Sequence, residues 1–419
     1  MQAVQLDHPH FSWGPVPHPG SPGPGYSLVR VQAAGLNFPD VLQARGLYPA
    51  PKGSQPGLGL EVAGTVVSGA PSDTGDAALP EGTRVMGLTN GGGLGEYVLV
   101  PTAQLIPTAA LIPDGSPPPL DAASVSEDAD GWVVAAASVP ESGLTAWANL
   151  VHDTGAAAPG GVCLVHGAAG GVGSAAAFVA RRRGCAVVGT ATRRKARAAI
   201  AAGADMVIDY RNVSFRDVLR NDTVASALRQ LAWSRIEAGN GAGAAALPPL
   251  PHPSRSGAAV TAVLDIIGGD YVQSNMAVCA PGAKIVSVAF QSGSKPQGLD
   301  LMPMMLKRLT LTGSTLRSRS PAEKAALMRG FVGDGTAGAL LRRDAPPPAR
   351  DPEAESEALL ALARAVSDAG WTDAVDVRQP GASPTPAFVT EAYKAPDAAV
   401  AYGRLESGAL IGKCVLVLE

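Results

Sequence analysis

Cysteine is scarce in this sequence, and long apolar runs are missing from it. Only four cysteines occur among 419 residues, and none of them forms a C-x-x-C pair. This spacing argues against a disulfide framework and against a structural zinc site. No apolar run reaches about 18 residues, so the sequence predicts no membrane span. The opening M-Q-A-V-Q-L-D resembles a strand rather than a basic leader, and we expect a cytoplasmic protein without a targeting peptide.

Charged residues are also few. They make up 16% of the chain, and the formal net charge is −3, so no nucleic-acid partner is expected. The arginines at 181–183 fall in the last turn of a predicted helix, where cations suit the helix dipole. We expect that cluster to be solvated. The length is sufficient for two domains with sizeable cores.

Two kinds of pattern divide the chain. Up to about residue 110, short apolar or alternating runs are separated by glycine and proline, which is typical of a barrel-like β domain. From Val162 onward, strands alternate with helices, which predicts a parallel, doubly wound sheet. Residues 108–140 show no hydrophobic periodicity, which predicts an exposed excursion of the chain. Residues 238–257 and 342–356 predict surface insertions that carry no chemistry.

A glycine-rich turn organises the second half. The run V-C-L-V-H-G-A-A-G-G-V-G begins at Val162 and leads into a helix and then a further strand, A-V-V-G-T. This order predicts a dinucleotide-binding βαβ unit. Gly170 and Gly173 leave out the Cβ where a diphosphate approaches the backbone and where the helix meets the strand. The alternative is a glycine-rich loop without a ligand.

The end of the second strand favours one dinucleotide over the other. The segment G-T-A-T-R-R-K (189–195) contains hydroxyls and three cations but no carboxylate. NAD-binding units place an acid here for the ribose 2′-hydroxyl, whereas this composition suits the 2′-phosphate of NADP. The alternative is that the cations only face solvent. Tyr210 follows the third strand, where it either packs on the adenosine or is a plain surface tyrosine.

The sequence does not predict a metal site. The β-rich domain contains no cysteine, and its histidines (His8, His10 and His18) have no suitably spaced partner. His166 ends the first strand of the nucleotide unit. We expect a positional role for it, packing or bonding to backbone, rather than a part in catalysis.

Several segments together carry a family resemblance. They are A-A-G-L-N-F-P-D-V-L-Q-A-R-G-L-Y-P (33–49), G-L-G-L-E-V-A-G-T-V (57–66), V-P-E-S-G-L-T-A-W (139–147), H-G-A-A-G-G-V-G (166–173), L-D-I-I-G-G (264–269), S-T-L-R-S-R-S (314–320) and I-G-K-C-V-L (411–416). In this order they resemble the zinc-free quinone oxidoreductase (zeta-crystallin-like) branch of the medium-chain dehydrogenase/reductase superfamily. The p53-inducible quinone oxidoreductase type is the most similar sub-branch.

The resemblance implies an α/β protein with two domains. A GroES-like catalytic domain would cover residues 1–140 and be completed by 316–419. A Rossmann NADP-binding domain would cover 141–315, with an insertion at about 238–257. Relatives pair through the last strand of the nucleotide sheet, here the run from Leu309 to Gly313, so a homodimer is expected.

The resemblance also implies roles for individual residues. Asn37 and Tyr48 match residues that border the nicotinamide and the substrate, although Asn37 has an alternative role as a helix cap. The predicted cofactor-binding residues are Thr145, Gly170, Gly171, Val172, Gly173, Thr192, Lys195 and Tyr210. Leu60 replaces a histidine ligand of zinc-dependent relatives, and Leu42 replaces a second tyrosine found in some others.

The activity implied is hydride transfer from NADPH to a small quinone without a metal. Reduction of α,β-unsaturated carbonyls by an enoyl or alkenal reductase uses the same chemistry, and the fold does not separate the two. A non-catalytic cofactor-binding protein is the third possibility.

Overall fold

The computed structural model describes residues 1–7, 10–71, 77–112, 131–236, 257–342, 352–382 and 389–418. The strands in chain order are β1 (Gln2–Asp7), β2 (His10–Pro15), β3 (Tyr26–Leu36), β4 (Glu61–Gly69), β5 (Arg84–Leu88), β6 (Tyr97–Pro101), β7 (Leu105–Pro107), β8 (Val162–Val165), β9 (Ala186–Ala191), β10 (Met206–Asp209), β11 (Val260–Asp265), β12 (Cys279–Ser287), β13 (Thr310–Gly313), β14 (Val375–Val377), β15 (Val389–Lys394) and β16 (Lys413–Val417).

The helices in chain order are α1 (Phe38–Ala44), α2 (Gly131–Ser138), α3 (Pro140–Trp147), α4 (Gly171–Arg182), α5 (Arg193–Ala201), α6 (Phe215–Arg220), α7 (Asp222–Ser234), α8 (Tyr271–Val278), α9 (Met302–Lys307), α10 (Pro321–Gly333), α11 (Thr336–Arg342), α12 (Pro352–Asp368) and α13 (Ala398–Glu406). None of these described helices is long and apolar enough to cross a membrane.

The first compact unit consists of Met1–Thr145, Thr315–Asp344 and Phe388–Glu419. Its main sheet has the order β15-β16-β3-β4-β5-β7, and β6 also pairs with β3. The eleven-residue β3 is the centre of this sheet because it pairs antiparallel with β4, β6 and β16. Alternate residues of these strands, including Val29, Val62 and Leu416, are fully buried.

The second compact unit consists of Ala146–Ser314 and Ala345–Ala387. Its sheet has the order β13-β12-β11-β8-β9-β10-β14. The pairs from β13 to β10 are parallel, and only β14 is antiparallel to its neighbour β10. All four residues of β8 are buried, as expected for a central parallel strand covered on both faces. The α/β fold class, with a GroES-like unit and a Rossmann-like parallel sheet, is confirmed.

One boundary of the predicted domains is wrong. The sequence interpretation placed all of 316–419 in the first domain, whereas the structure assigns 345–387 to the second unit. The reason is that α12 packs against α7 and β14 extends the nucleotide sheet. The last residues of the predicted insertion at 342–356 form the start of α12. The middle of that predicted insertion lies outside the described residues, as does the segment 238–256.

A buried ion cluster explains why α12 lies in this unit. Asp205 is fully buried and accepts hydrogen bonds from Arg181, from Arg235 at 2.7 and 2.9 Å, and from Arg378 at 3.1 Å. Glu355 of α12 accepts from the same three guanidinium groups at 2.7–3.1 Å. The prediction of a solvated arginine cluster is therefore wrong for Arg181.

The predicted excursion at 108–140 also needs correction at its C-terminal end. Residues 131–138 form α2, in which seven of the eight residues are buried. The segment G-W-V-V-A-A-A-S is apolar on nearly every side, so it has no amphipathic period that would mark it as a helix. Residues 113–130 lie outside the described part of the chain.

Candidate functional site

The glycine-rich turn between β8 and α4 is shaped by close backbone contacts. Gly167 has φ +63°, in the left-handed region, and its carbonyl oxygen accepts the N–H of Gly170 at 2.9 Å. A Cβ at Gly173 would lie 2.1 Å from the same oxygen, closer than any real contact. Gly173 is therefore required by the packing of the loop on itself.

The fold itself does not require glycine at position 170. It is the residue before α4, with extended backbone (φ −93°, ψ 176°) that any residue adopts. A Cβ there would meet only the Gly167 oxygen within 4 Å, at 3.4 Å. The protein itself therefore leaves room for a side chain. Gly171 and Val172 follow in the first turn of α4 and are partly exposed, and such a turn offers backbone N–H groups and a positive dipole end to an anion.

Two of the predicted residues for the 2′-phosphate are adjacent. Ala191 and Asp209 are paired in the parallel ladder of β9 and β10, so the residues that follow them, Thr192 and Tyr210, leave the same sheet edge side by side. Tyr210 is 43% exposed, and Thr192 precedes the first turn of α5. No carboxylate lies between Ala191 and Lys195. The donor set fits a phosphate better than a ribose hydroxyl.

The three cations after Thr192 are not equivalent. Arg193 donates to the carbonyl oxygen of Thr372 at 3.3 Å and lies 4.0 Å from the Asp376 carboxylate, so it is already engaged by the segment around β14. Lys195 is partly buried, and its backbone N–H donates to the Thr192 carbonyl oxygen at 2.8 Å. The predicted role of Lys195 at the 2′-phosphate stays a prediction.

In the first unit, Asn37 is held by a buried ion pair. Its side-chain Nδ2 donates to the carbonyl oxygen of Gly35 at 3.2 Å and to Glu61 Oε1 at 2.8 Å. Lys413 donates to Asn37 Oδ1 and to Glu61, and both charged side chains are at most 3% exposed. Both amide hydrogens of Asn37 are thus used. The side chain of Asn37 therefore has no N–H left to donate.

Asn37 is the N-cap residue of α1 and forms a capping box with Asp40. The carboxylate of Asp40 accepts the N–H of Asn37 and the N–H of Gly59, each at 2.9 Å. Burial raises the pKa of Asp40 to about 6. The alternative interpretation of Asn37 as a cap is therefore confirmed, and its side chain also bonds to the Glu61–Lys413 pair.

Glu141 lies at the start of α3 beside the same pair. Its backbone N–H donates to Glu61 Oε2 at 2.9 Å, and Ser142 Oγ lies 3.4 Å from Lys413 Nζ. Burial, followed by repulsion from Glu61, raises the pKa of Glu141 to about 7. Thr145 follows one helical turn later, on the same face of α3 as Glu141.

Tyr48 is held by Arg317, a residue of the S-T-L-R-S-R-S segment. The guanidinium carbon of Arg317 lies 5.2 Å from the centre of the Tyr48 ring, and Nη1 donates to the Tyr48 carbonyl oxygen at 3.3 Å. Arg317 also donates to Gln43 and, at 3.4 Å, to the carbonyl oxygen of Asn90. The described residues contain no hydrogen bond between the side chains of Asn37 and Tyr48.

Four residues of these clusters were missed by the sequence interpretation: Glu61, Glu141, Arg317 and Lys413. Each lies inside a quoted motif, namely G-L-E, V-P-E-S-G, S-T-L-R-S-R-S and I-G-K. The motifs marked the segments, but only the fold shows that Lys413 reaches Asn37, 376 positions away in the chain. Among the described residues, no three His, Cys, Asp or Glu side chains are grouped so that they could hold a metal ion.

Two sequence models of known families match the chain. The one described as alcohol dehydrogenase GroES-like domain matches residues 23–114, and the one described as zinc-binding dehydrogenase matches residues 171–330. The chain belongs to the medium-chain dehydrogenase/reductase superfamily. Its second unit has a nucleotide-binding fold. The resemblance is thereby confirmed at the level of the superfamily, and the zeta-crystallin-like branch stays a prediction.

The curated relatives are much longer proteins. The chain is 38% identical over 201 residues to the pikromycin polyketide synthase component PikAII of Streptomyces venezuelae, a match that covers 47% of this chain and 5% of that protein. It is 34% identical over 207 residues to the phthioceranic/hydroxyphthioceranic acid synthase of Mycobacterium tuberculosis, covering 49% of this chain and 9% of that protein. The matched stretch is thus less than a tenth of either relative.

Solved structures of similar fold cover the whole chain. A mycobacterial protein complexed with NADPH has a TM-score of 0.59 at 23% identity and is itself covered in full. The quinone oxidoreductase of Pseudomonas syringae has a TM-score of 0.58 at 24% identity, with 98% of that chain covered. The CurK enoyl reductase has a TM-score of 0.60 at 19% identity, with 99% covered. These likenesses show the fold.

Proposed function

We propose that the protein is an NADPH-dependent quinone oxidoreductase that works without a metal. The observation that carries the proposal is the surroundings of Asn37. The residue before Glu61 is Leu60, which is 1% exposed, and Glu61 is neutralised by Lys413. Side chains of this kind do not make a Lewis-acid site. A quinone is electron-poor without such polarisation, so it is the acceptor that suits this set.

NADPH is the proposed cofactor because of the residues at the ends of β8 and β9. When bound, it supplies the hydride. The open side of Gly170 and the first turn of α4 would take the diphosphate, with Gly171, Val172 and Gly173 in the same turn. Thr192, Lys195 and Tyr210 would hold the 2′-phosphate, and Thr145 is proposed to contact the cofactor nearer the nicotinamide. The NADPH complex of a structural relative supports this choice.

The first unit is proposed to orient the acceptor. Asn37 is fixed by Glu61 and Lys413, and it is proposed to border the nicotinamide and the acceptor. The Tyr48 hydroxyl is proposed as a second orienting group, with Arg317 holding the backbone and the ring. Positioning groups of this kind contribute roughly 10- to 100-fold each to the rate.

The cofactor proposal is tested with Lys195→Ala. The variant should raise the dissociation constant of NADPH by about tenfold or more, because a charge-assisted contact to the 2′-phosphate is lost, and leave that of NADH within about twofold. Arg197→Ala, an exposed cation two positions later on α5, is the matched control and should change neither. Equal weakening of both cofactors, or none, would show that the 2′-phosphate is held elsewhere.

Purified protein and a panel of quinones test the activity. NADPH consumption should depend on the quinone and on the protein, and NADH should support it poorly. Lack of turnover with every quinone, together with tight NADPH binding, would favour the non-catalytic cofactor-binding alternative.

A second function is favoured by the curated relatives, one of which is a polyketide synthase component, and by the structural likeness to an enoyl reductase. In this alternative the same hydride would reduce an α,β-unsaturated carbonyl. Initial rates with short enones and 2-enoyl thioesters distinguish the two functions, since turnover confined to those acceptors would exclude the quinone assignment.

The proposed partner is a second copy of this chain. β13 is the edge strand of the nucleotide sheet, with Leu311 exposed, and three side chains of the neighbouring α9, Met302, Met305 and Leu306, are at least half exposed. An uncovered strand edge beside apolar side chains suits pairing with its copy. Light scattering after size exclusion should give a dimer, and Leu306→Glu should give a monomer. A wild-type monomer would contradict this.

A cytoplasmic location is also proposed. The four cysteines are all buried as free thiols, which agrees with a reducing compartment.

A further inference from the structure

A buried chain of polar side chains lies under the glycine-rich turn of the second unit. His166 follows β8 and is fully buried. Its Nε2 lies 2.8 Å from Asn275 Oδ1, and its Nδ1 lies 3.1 Å from Thr190 Oγ1. The rings of Phe215 and Tyr271 each lie edge-on to the imidazole at 4.9 Å. The ring is therefore held on its faces and at both nitrogens.

The direction of each hydrogen bond in this chain is determined. Asp265 is a carboxylate and can only accept, so the group that approaches its Oδ2 at 3.1 Å is the Asn275 amide nitrogen. Asn275 then presents its oxygen to His166, and His166 Nε2 must carry a proton. The opposite orientation of the amide would set its oxygen against the Asp265 carboxylate.

The other nitrogen of His166 is an acceptor. Burial lowers the pKa of His166, which keeps the imidazole neutral with one ring proton. With that proton on Nε2, Nδ1 accepts the hydroxyl proton of Thr190. Thr190 Oγ1 in turn accepts the backbone N–H of Gly167 at 3.3 Å. The chain thus runs from a buried carboxylate to the first glycine of the turn.

The same carboxylate fixes a second loop. Asp265 Oδ1 accepts the backbone N–H groups of Ile267 at 2.7 Å and Gly268 at 3.0 Å. These residues open the turn between β11 and α8, where Gly268 and Gly269 both have positive φ. β8 and β11 are neighbouring parallel strands, so the two turns lie at one edge of the sheet.

We propose that His166 is a positioning residue, locked as the Nε2–H tautomer, which links Asp265 through Asn275 and Thr190 to Gly167. It thereby fixes the glycine-rich turn, where the cofactor's diphosphate is proposed to bind, against the neighbouring turn after β11. The identity of the ligand rests on the proposed function, but the tautomer and the hydrogen-bond chain do not. This assigns functions to Thr190 and Asn275 and specifies how His166 fills the positional role expected from the sequence.

The tautomer is tested by nitrogen NMR of protein labelled at histidine. The signal of His166 is identified by its loss in His166→Gln. Across pH 7 to 8 it should show a protonated Nε2 and an unprotonated Nδ1. A ring protonated at Nδ1, or charged at pH 7, would overturn the proposal, whatever the protein binds.

The positioning role is tested with Thr190→Val, which removes the hydroxyl while keeping the shape. The dissociation constant of NADPH should rise about tenfold. That of adenosine 2′-monophosphate, which has no diphosphate, should stay within about twofold. Thr261→Val is the matched control, because Thr261 Oγ1 also accepts a backbone N–H, that of Val162 at 3.0 Å, but at the opposite edge of the same sheet.

The control separates positioning from stability. Both variants should lower the unfolding temperature to a similar extent, and only Thr190→Val should weaken NADPH binding. If both lower the unfolding temperature and neither affects NADPH, the hydrogen-bond chain has only a structural role and the proposal is overturned. If the wild type binds neither nucleotide, the proposed function is wrong, and the NMR result alone then decides the tautomer and the hydrogen-bond chain.

Discussion

Gly170→Ala should weaken cofactor binding while leaving the fold intact. The new Cβ would lie 3.4 Å from the Gly167 oxygen, with no other heavy atom within 4 Å, and the backbone there is already extended. The unfolding free energy should therefore change by less than about 0.5 kcal/mol, since alanine also restricts the unfolded chain. The methyl group occupies the open side of the loop, where the diphosphate is proposed to approach. The dissociation constant of NADPH should rise at least about tenfold.

Gly173→Ala should fail in a different way. Its Cβ would lie 2.1 Å from the oxygen and 2.7 Å from the carbonyl carbon of Gly167. Both are backbone atoms, so the loop must shift as a whole, and overpacking of this kind costs about 1–3 kcal/mol. This variant should lose stability and NADPH binding together.

The two variants are compared by thermal unfolding followed by circular dichroism and by fluorescence titration with NADPH. Gly403→Ala, within α13, is the control because a Cβ there meets nothing within 4 Å; it should be neutral or slightly stabilising. If Gly170→Ala binds NADPH as the wild type does, the glycine turn is not the diphosphate site. If it unfolds as early as Gly173→Ala, the distinction drawn from the loop geometry is wrong.

Three further predictions concern the charged clusters. Asp205→Asn should lower the free energy of unfolding by about 3–5 kcal/mol in a chemical denaturation experiment, because the three buried guanidinium groups then keep only Glu355 as a charged partner. The control Asp368→Asn, at the exposed end of α12, should change that free energy little. Arg317→Met should raise the KM for the acceptor about tenfold and leave the NADPH affinity unchanged. The substitution removes the donor to the Tyr48 carbonyl oxygen and the guanidinium over the Tyr48 ring. An unchanged KM would exclude a role of Arg317 in positioning Tyr48. Burial raises the pKa values of Asp40 and Glu141, so the folded chain binds more protons than the unfolded chain. The contribution of these two carboxyls to stability is therefore present at about pH 4 and is lost as the pH rises through 6 and 7. The unfolding temperature should fall from pH 5 to 8, and Glu141→Gln should show a flatter profile.

Local patterns were sufficient to predict the nucleotide unit. The strand, turn and helix around Gly170 and Gly173 follow one another within about twenty residues. The end of β9 comes directly before Thr192, so the residues beyond that strand could also be identified from the sequence. Helix α2 was missed because a segment that is buried on all sides shows no helical period. The composition of 342–356 likewise suggested an insertion. The partners that hold Glu355 in place are Arg181, Arg235 and Arg378, and these lie far from it or beyond the segment in the sequence, so the local composition does not reveal them.

The candidate active site in the first unit was predictable only in part. Asn37 and Tyr48 come from the resemblance, since neither composition nor periodicity marks them. The groups that fix them, Lys413 and Arg317, come from segments more than 250 residues away in the chain. A sequence pattern cannot show which lysine or arginine crosses such a distance, because that depends on the pairing of β16 with β3 and on the tertiary packing around Tyr48.

We propose that this protein passes the hydride of NADPH to quinones. A competition assay tests this proposal: one mixture holds the protein, NADPH, and equal concentrations of a benzoquinone and a 2-enoyl thioester, and both products are quantified by mass spectrometry. The product ratio reports the ratio of kcat/KM values. Hydroquinone should form in large excess, and product formation should fall sharply with Gly170→Ala at the same NADPH concentration. A majority of saturated thioester would refute the proposal and assign the protein to the enoyl reductases.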